Sequence, residues 1–157
     1  MKLATGLVLV VCAACRPSGG PVPAVTYSIS LERGSCMGAC PVYSVTVASD
    51  GSVRYEGSQG VAVPGEATVS IPADSAAALL QAFEALAFDS LPDRYQPDDA
   101  GCSPYVADLP MLVFTVRQGD RAKRVEYDPG CAAAPRALRD LARRIDRVAG
   151  SSRWTGR

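Results

Sequence analysis

The residues best able to do chemistry are two cysteines with three residues between them, Cys36 and Cys40, in the run Arg33-Gly34-Ser35-Cys36-Met37-Gly38-Ala39-Cys40-Pro41-Val42-Tyr43. A close thiol pair can cycle between dithiol and disulfide. Catalytic dithiols use two spacers and sit at a helix N-terminus, where the dipole lowers the thiol pKa. Here the spacing is longer, Pro41 follows and a strand-like run comes next. The pair therefore reads as a structural bridge, with thiol-disulfide redox chemistry as the alternative.

The chain has 157 residues and no histidine. Without an imidazole, Ser-His-Asp and Cys-His catalysis are excluded, and the commonest metal ligand is missing. Ser35, Ser103 and Lys123 make no Ser-x-x-Lys pattern, and no phosphate-cradling glycine motif occurs. Asp98, Asp99 and Asp108 could offer carboxylates to Ca²⁺, but the alternating oxygen ligands of such a loop are absent, so they read as solvated. Lys+Arg and Asp+Glu balance at 16 each, which leaves no electrostatic footprint for nucleic acid. No catalytic residue, cofactor or metal is expected.

The N-terminus reads as an address. Met1-Lys2 is a short positive start, and Leu3 to Val11 is apolar but short of the ~20 residues that span a bilayer. Cys12-Ala13-Ala14-Cys15 then looks like a bacterial lipobox, with cleavage before Cys15 and lipidation of its thiol. An ordinary secretory signal cut nearby is the alternative. Arg16 after the candidate cysteine leans toward outer-membrane sorting, by resemblance to enterobacterial lipoproteins. The organisation expected is a signal peptide over 1–14, a Pro/Gly-rich tether over 15–25 and one domain over 26–154. The membrane is then a partner through a lipid anchor at Cys15, with a further envelope protein as a possible partner and no nucleic acid.

An exported chain that loses Cys12 and lipidates Cys15 keeps Cys36, Cys40, Cys102 and Cys131. Four cysteines in an oxidising compartment read as disulfides, with three connectivities open. Cys36 and Cys40 are close enough to pair around Gly38. Cys102 and Cys131 flank a hairpin, so joining them would staple a long loop to the sheet. The pairing expected is Cys36–Cys40 and Cys102–Cys131, with the cysteine loop lying away from the long loop. A four-cysteine zinc site finds its ligand spacing only once.

These residues need elements to hold them. Tyr27, Ile29 and Leu31, then Tyr43, Val45 and Val47, alternate with polar residues as half-buried strands do. Asp50-Gly51 signals a hairpin to Val53 and Tyr55. Val61 to Val63 and Ala67 to Ile71 are further strand candidates. Pro72 suits the first position of a helix whose Ala76, Leu79, Leu80, Phe83 and Leu86 share a face. Phe88 to Pro110 reads as one irregular loop. Met111 to Arg117 and the run through Val125 and Tyr127 form another hairpin. Pro135 opens a second helix with the stripe Leu138, Leu141, Ile145 and Val148, and Gly150 caps it. Its arginines, Arg136, Arg139, Arg143, Arg144 and Arg147, read as a solvated face diluted by Asp140 and Asp146. The other possibility for them is an anionic lipid surface. The fold expected is α+β: an antiparallel β-sheet with two helices on one face, built from two hairpin-helix units.

Several pieces together resemble the bacterial family called domain of unknown function 6438. They are the Arg33–Tyr43 run, Asp50-Gly51 before Tyr55-Glu56-Gly57, Phe88 with Ser90-Leu91, the Asp108 region, Gly130-Cys131, Ile145-Asp146 and Arg153-Trp154. The resemblance implies an exported domain, often near a signal or lipid anchor, with no assigned reaction. The function expected is a non-catalytic binding or structural module of the cell envelope. The alternatives are a redox protein using Cys36 and Cys40, and a secreted inhibitor or ligand-binding domain using the long loop.

Overall fold

Alternation with a period of two decides the sheet. In the computed structural model, which describes residues 26–156, seven strands form: β1 (Tyr27–Arg33), β2 (Val42–Ala48), β3 (Ser52–Gln59), β4 (Gly65–Ser70), β5 (Arg94–Tyr95), β6 (Leu112–Gln118) and β7 (Arg121–Tyr127). They join one sheet in the order β4-β3-β2-β1-β6-β7-β5, antiparallel except where β5 runs parallel to β7. The register lines Leu31, Val45, Tyr55, Phe114 and Val125 into one row across five strands. All five are buried. The neighbouring row, Ser30, Thr46, Arg54, Thr115 and Arg124, faces outward, because side chains alternate across the pleat.

The buried face is covered by helices α1 (Ala73–Ala85) and α2 (Arg136–Ala149), followed by the single turn α3 (Ser152–Thr155). From α1, Ala76, Leu79 and Phe83 enter the core; from α2, Leu138, Leu141, Ala142, Ile145 and Ala149 do. Phe83 meets Phe88 edge-on at 4.8 Å between ring centroids, and both approach Phe114. Each fully buried Leu or Phe contributes about 1.5–3 kcal/mol of transfer free energy. The α+β class with two helices on one face is therefore the fold of the chain.

Details differ from the sequence reading. The first unit is a four-stranded meander before α1, so only β6-β7-α2 is a simple hairpin-helix unit. Val61 to Val63 is not strand; the chain bends there and β4 starts at Gly65. Val63 instead donates its N–H to the Trp154 carbonyl at 2.9 Å, which pulls it out of the ladder. Pro72 and Pro135 are N-caps, one position earlier than expected. The Phe88–Pro110 stretch holds a 3₁₀ turn, Phe88–Ser90, and strand β5. Both are held from outside, by Phe88 in the core and by the pairing of β5 with β7, and leave no periodicity to read. Ala87 turns the chain out of α1 at φ 51°, a left-handed position that glycine usually fills.

Candidate functional site

Register brings together what the sequence keeps apart. Arg33 ends β1 and Tyr43 lies directly opposite it in β2, so both side chains share the helix-covered face. α2 then delivers Asp146 to them. Arg33 donates from Nε at 3.1 Å and from Nη2 at 2.5 Å to Asp146 Oδ2, and the Tyr43 hydroxyl donates to Oδ1 at 2.6 Å. The two ion-pair partners are 19% and 23% exposed, so water screens them only in part. Burial pushes the Tyr43 phenol well above its ordinary 10.0, helped by the Asp146 charge and hydrogen bond and opposed by Arg33. Tyr43 is thus a fixed hydrogen-bond donor.

The cysteine loop leaves from this cluster and returns to it. Cys36 and Cys40 are joined by a disulfide with Cα atoms 5.7 Å apart, and Met37 at its tip is 80% exposed. The loop is irregular, so no helix dipole acts on either sulfur. Gly60 backs it: a Cβ there would come within 2.8 Å of the Cys40 carbonyl. An open groove of about 580 Å³ runs beside the loop, lined by Arg33, Cys40, Tyr43, Asp146, Arg147 and Ser151 among others. Ser151 is buried, and its Oγ has no hydrogen-bond partner among the described residues.

The long loop reaches the same end of the sheet. Gly34 donates its N–H to the Met111 carbonyl at 2.8 Å, and Pro110 lines the groove with Cys40. The expectation that the cysteine loop lies away from the long loop is corrected here, because β6 pairs with β1 and starts where β1 ends. A disulfide joins Cys102 to Cys131, with Cα atoms 4.3 Å apart. Tyr105 donates to the buried Asp128 at 2.8 Å, and Val106 N–H to the Gly130 carbonyl at 3.2 Å. At Gly130 a Cβ would overlap the Val106 carbonyl, so only glycine lets the two segments close up. Asp98 and Asp99 both pair with Arg94, at 2.9 and 2.7 Å. That contact holds the Asp98 carboxyl below its ordinary range. Among the described residues no group of three or more His, Cys, Asp or Glu side chains could hold a metal ion.

Cys15, the candidate lipidation site, lies outside the described residues, as do the segments 1–14 and 15–25. Among the described residues no helix is long and apolar enough to cross a membrane. The sequence reading missed that Arg33, Tyr43 and Asp146 form one unit. The signal was present in pieces, as the arginine and tyrosine bracketing the cysteine run and the Ile145-Asp146 pair. No curated protein matches the chain. The family model described as "Domain of unknown function (DUF6438)" matches residues 27–149, from the first residue of β1 to the last of α2, and the chain belongs to that family.

Proposed function

We propose that the chain is a bacterial cell-envelope lipoprotein, anchored through Cys15, whose domain is a non-catalytic binding or structural module. The observation that carries this reading is the pair of disulfides, Cys36–Cys40 and Cys102–Cys131, behind an apolar leader that ends in Cys12-Ala13-Ala14-Cys15. Disulfides of this kind persist in oxidising compartments. The arrangement of polar groups supports a binding role over a catalytic one. Asp146 has both oxygens engaged, Tyr43 holds its proton, and Arg33 is spent on Asp146. The groove beside them is the place for a ligand or an envelope partner.

The anchor is tested by palmitate labelling of the full chain in a bacterial host. Cys15→Ser should abolish labelling and leave uncut or soluble protein; a mutant that still labels and stays in the membrane fraction sinks the lipobox reading. The structural role of Cys36–Cys40 is tested by equilibration with glutathione. Structural bridges lie below about −300 mV, and a potential near the −230 to −180 mV of glutaredoxins and disulfide isomerases would move the assignment to redox chemistry.

A further inference from the structure

Although the chain carries no net charge, six of its sixteen basic residues fall between 136 and 153, all arginine, against two acids. In sequence those acids, Asp140 and Asp146, dilute the helix. The fold takes one of them out of that surface: Asp146 turns inward to Arg33 and Tyr43, while Asp140 stays exposed and pairs with Arg143. The apolar side of α2 is already spent on the sheet. Its solvent side presents Arg136, Arg139, Arg143, Arg144 and Arg147, all exposed, and Arg153 extends the stripe over the Trp154 ring at 5.2 Å. Arg136, Arg144 and Arg147 have no ion pair among the described residues. The opposite face of the sheet is mixed: Glu32, Glu56, Glu66 and Glu126 stand in the row beside Arg54 and Arg124.

We propose that the arginine face of α2 docks the domain flat on an anionic phospholipid surface, with the guanidinium groups on the lipid phosphates. Charge complementarity picks the occupant. Arginine, unlike lysine, grips phosphate with two parallel hydrogen bonds. Because the apolar stripe of α2 is buried in the protein, nothing on this face inserts between acyl chains. The contact is therefore electrostatic and salt-sensitive, unlike that of a free amphipathic helix. Docking this way turns the open, hydroxyl-rich face of the sheet toward water. The inference builds on the envelope reading above, which also favours a bilayer over nucleic acid for this patch.

The test uses the full chain with sedimentable vesicles of phosphatidylcholine, with and without phosphatidylglycerol, at low and high salt. Each arginine near an anionic surface contributes roughly fivefold in affinity, so Arg136→Gln/Arg144→Gln/Arg147→Gln should weaken phosphatidylglycerol-dependent binding about a hundredfold at low salt. Arg54→Gln/Arg117→Gln, on the other face, should leave it unchanged. Phenylglyoxal footprinting should find Arg136, Arg144 and Arg147 shielded by anionic vesicles, and Arg54 and Arg117 open. Binding only to anionic vesicles, with none to phosphatidylcholine alone, supports the docking face and sinks the lipid anchor instead. The proposal is overturned if phosphatidylglycerol adds nothing, if the two variants weaken binding equally, or if duplex DNA binds more tightly than anionic vesicles.

Discussion

The contact of Arg33, Tyr43 and Asp146 joins residues more than a hundred positions apart and should act as a clamp between α2 and the first two strands. Tyr43→Phe removes one hydrogen bond to a charged acceptor, and such bonds contribute about 1.5–3 kcal/mol. Asp146 is 23% exposed, so the carboxylate regains some hydration when the phenol is gone, and the low end applies, about 1.5 kcal/mol. Asp146→Asn keeps the shape but turns an amide donor toward either Arg33 or Tyr43. Both partners then lose, and about 2–3 kcal/mol is expected. The double variant should fall short of the sum by about 1 kcal/mol, since both changes break the same contact. Urea unfolding followed by circular dichroism reads all three. With a slope of about 2 kcal/mol per molar, Tyr43→Phe should shift the midpoint by about 0.7 M. Single effects below about 0.3 kcal/mol that simply add would refute the clamp. The three side chains would then be poised, partly hydrated, for something that binds in the groove.

Three further outcomes are expected. Ala87→Gly should stabilise the domain by about 0.5–1 kcal/mol, because a left-handed alanine after α1 costs more than glycine's extra unfolded entropy; an unchanged or lower melting temperature would count against it. Replacing Cys102 and Cys131 by alanine should destabilise by about 1.8 kcal/mol more than replacing Cys36 and Cys40, because the first pair is separated by 29 positions and the second by 4. The reverse order of melting temperatures contradicts this. Stability should fall as pH rises above 10.0, where the unfolded chain's phenols ionise before the buried Tyr43 does; Tyr43→Phe should make that fall shallower by up to about 1.4 kcal/mol per pH unit. Equal slopes for the two proteins would show that Tyr43 titrates normally in the fold.

Legibility followed the range of the interaction. Period-two alternation put Leu31, Val45, Val53 and Tyr55 on one face, and helical spacing picked Ala76, Leu79 and Phe83, because those signals are local and repeat. β5 was not legible: its two residues are strand only because β7 lies alongside, and nothing near Arg94 and Tyr95 in sequence says so. Val61 to Val63 misled for the opposite reason: the apolar run there packs Val61 on the core and holds Val63 between the Trp154 carbonyl and the Tyr55 hydroxyl, not in a ladder. The site divides in the same way. The cysteine loop stood out by spacing, whereas Asp146 read as one more charge on a basic helix. Its role depends on how far α2 travels across the sheet before it ends.

The same helix also links the site to the proposed docking face. Contacts from α2 and the turn after it reach several strands: Arg139 acts on the Tyr127 phenol, Asp146 on Arg33 and Tyr43, and beyond the helix end Trp154 stacks on Tyr55 at 4.7 Å. Asp146 thus ties the helix that carries the exposed arginines to the strand ends that carry the cysteine loop. The disulfide gives that loop one shape, and Gly60 lets the next turn close against it. The groove lies between loop and helix, lined by Cys40 from the first and by Arg147 and Ser151 from the end of the second. Because Arg33, Tyr43 and Asp146 also line it, Tyr43→Phe and Asp146→Asn should change the groove as well as the stability of the fold.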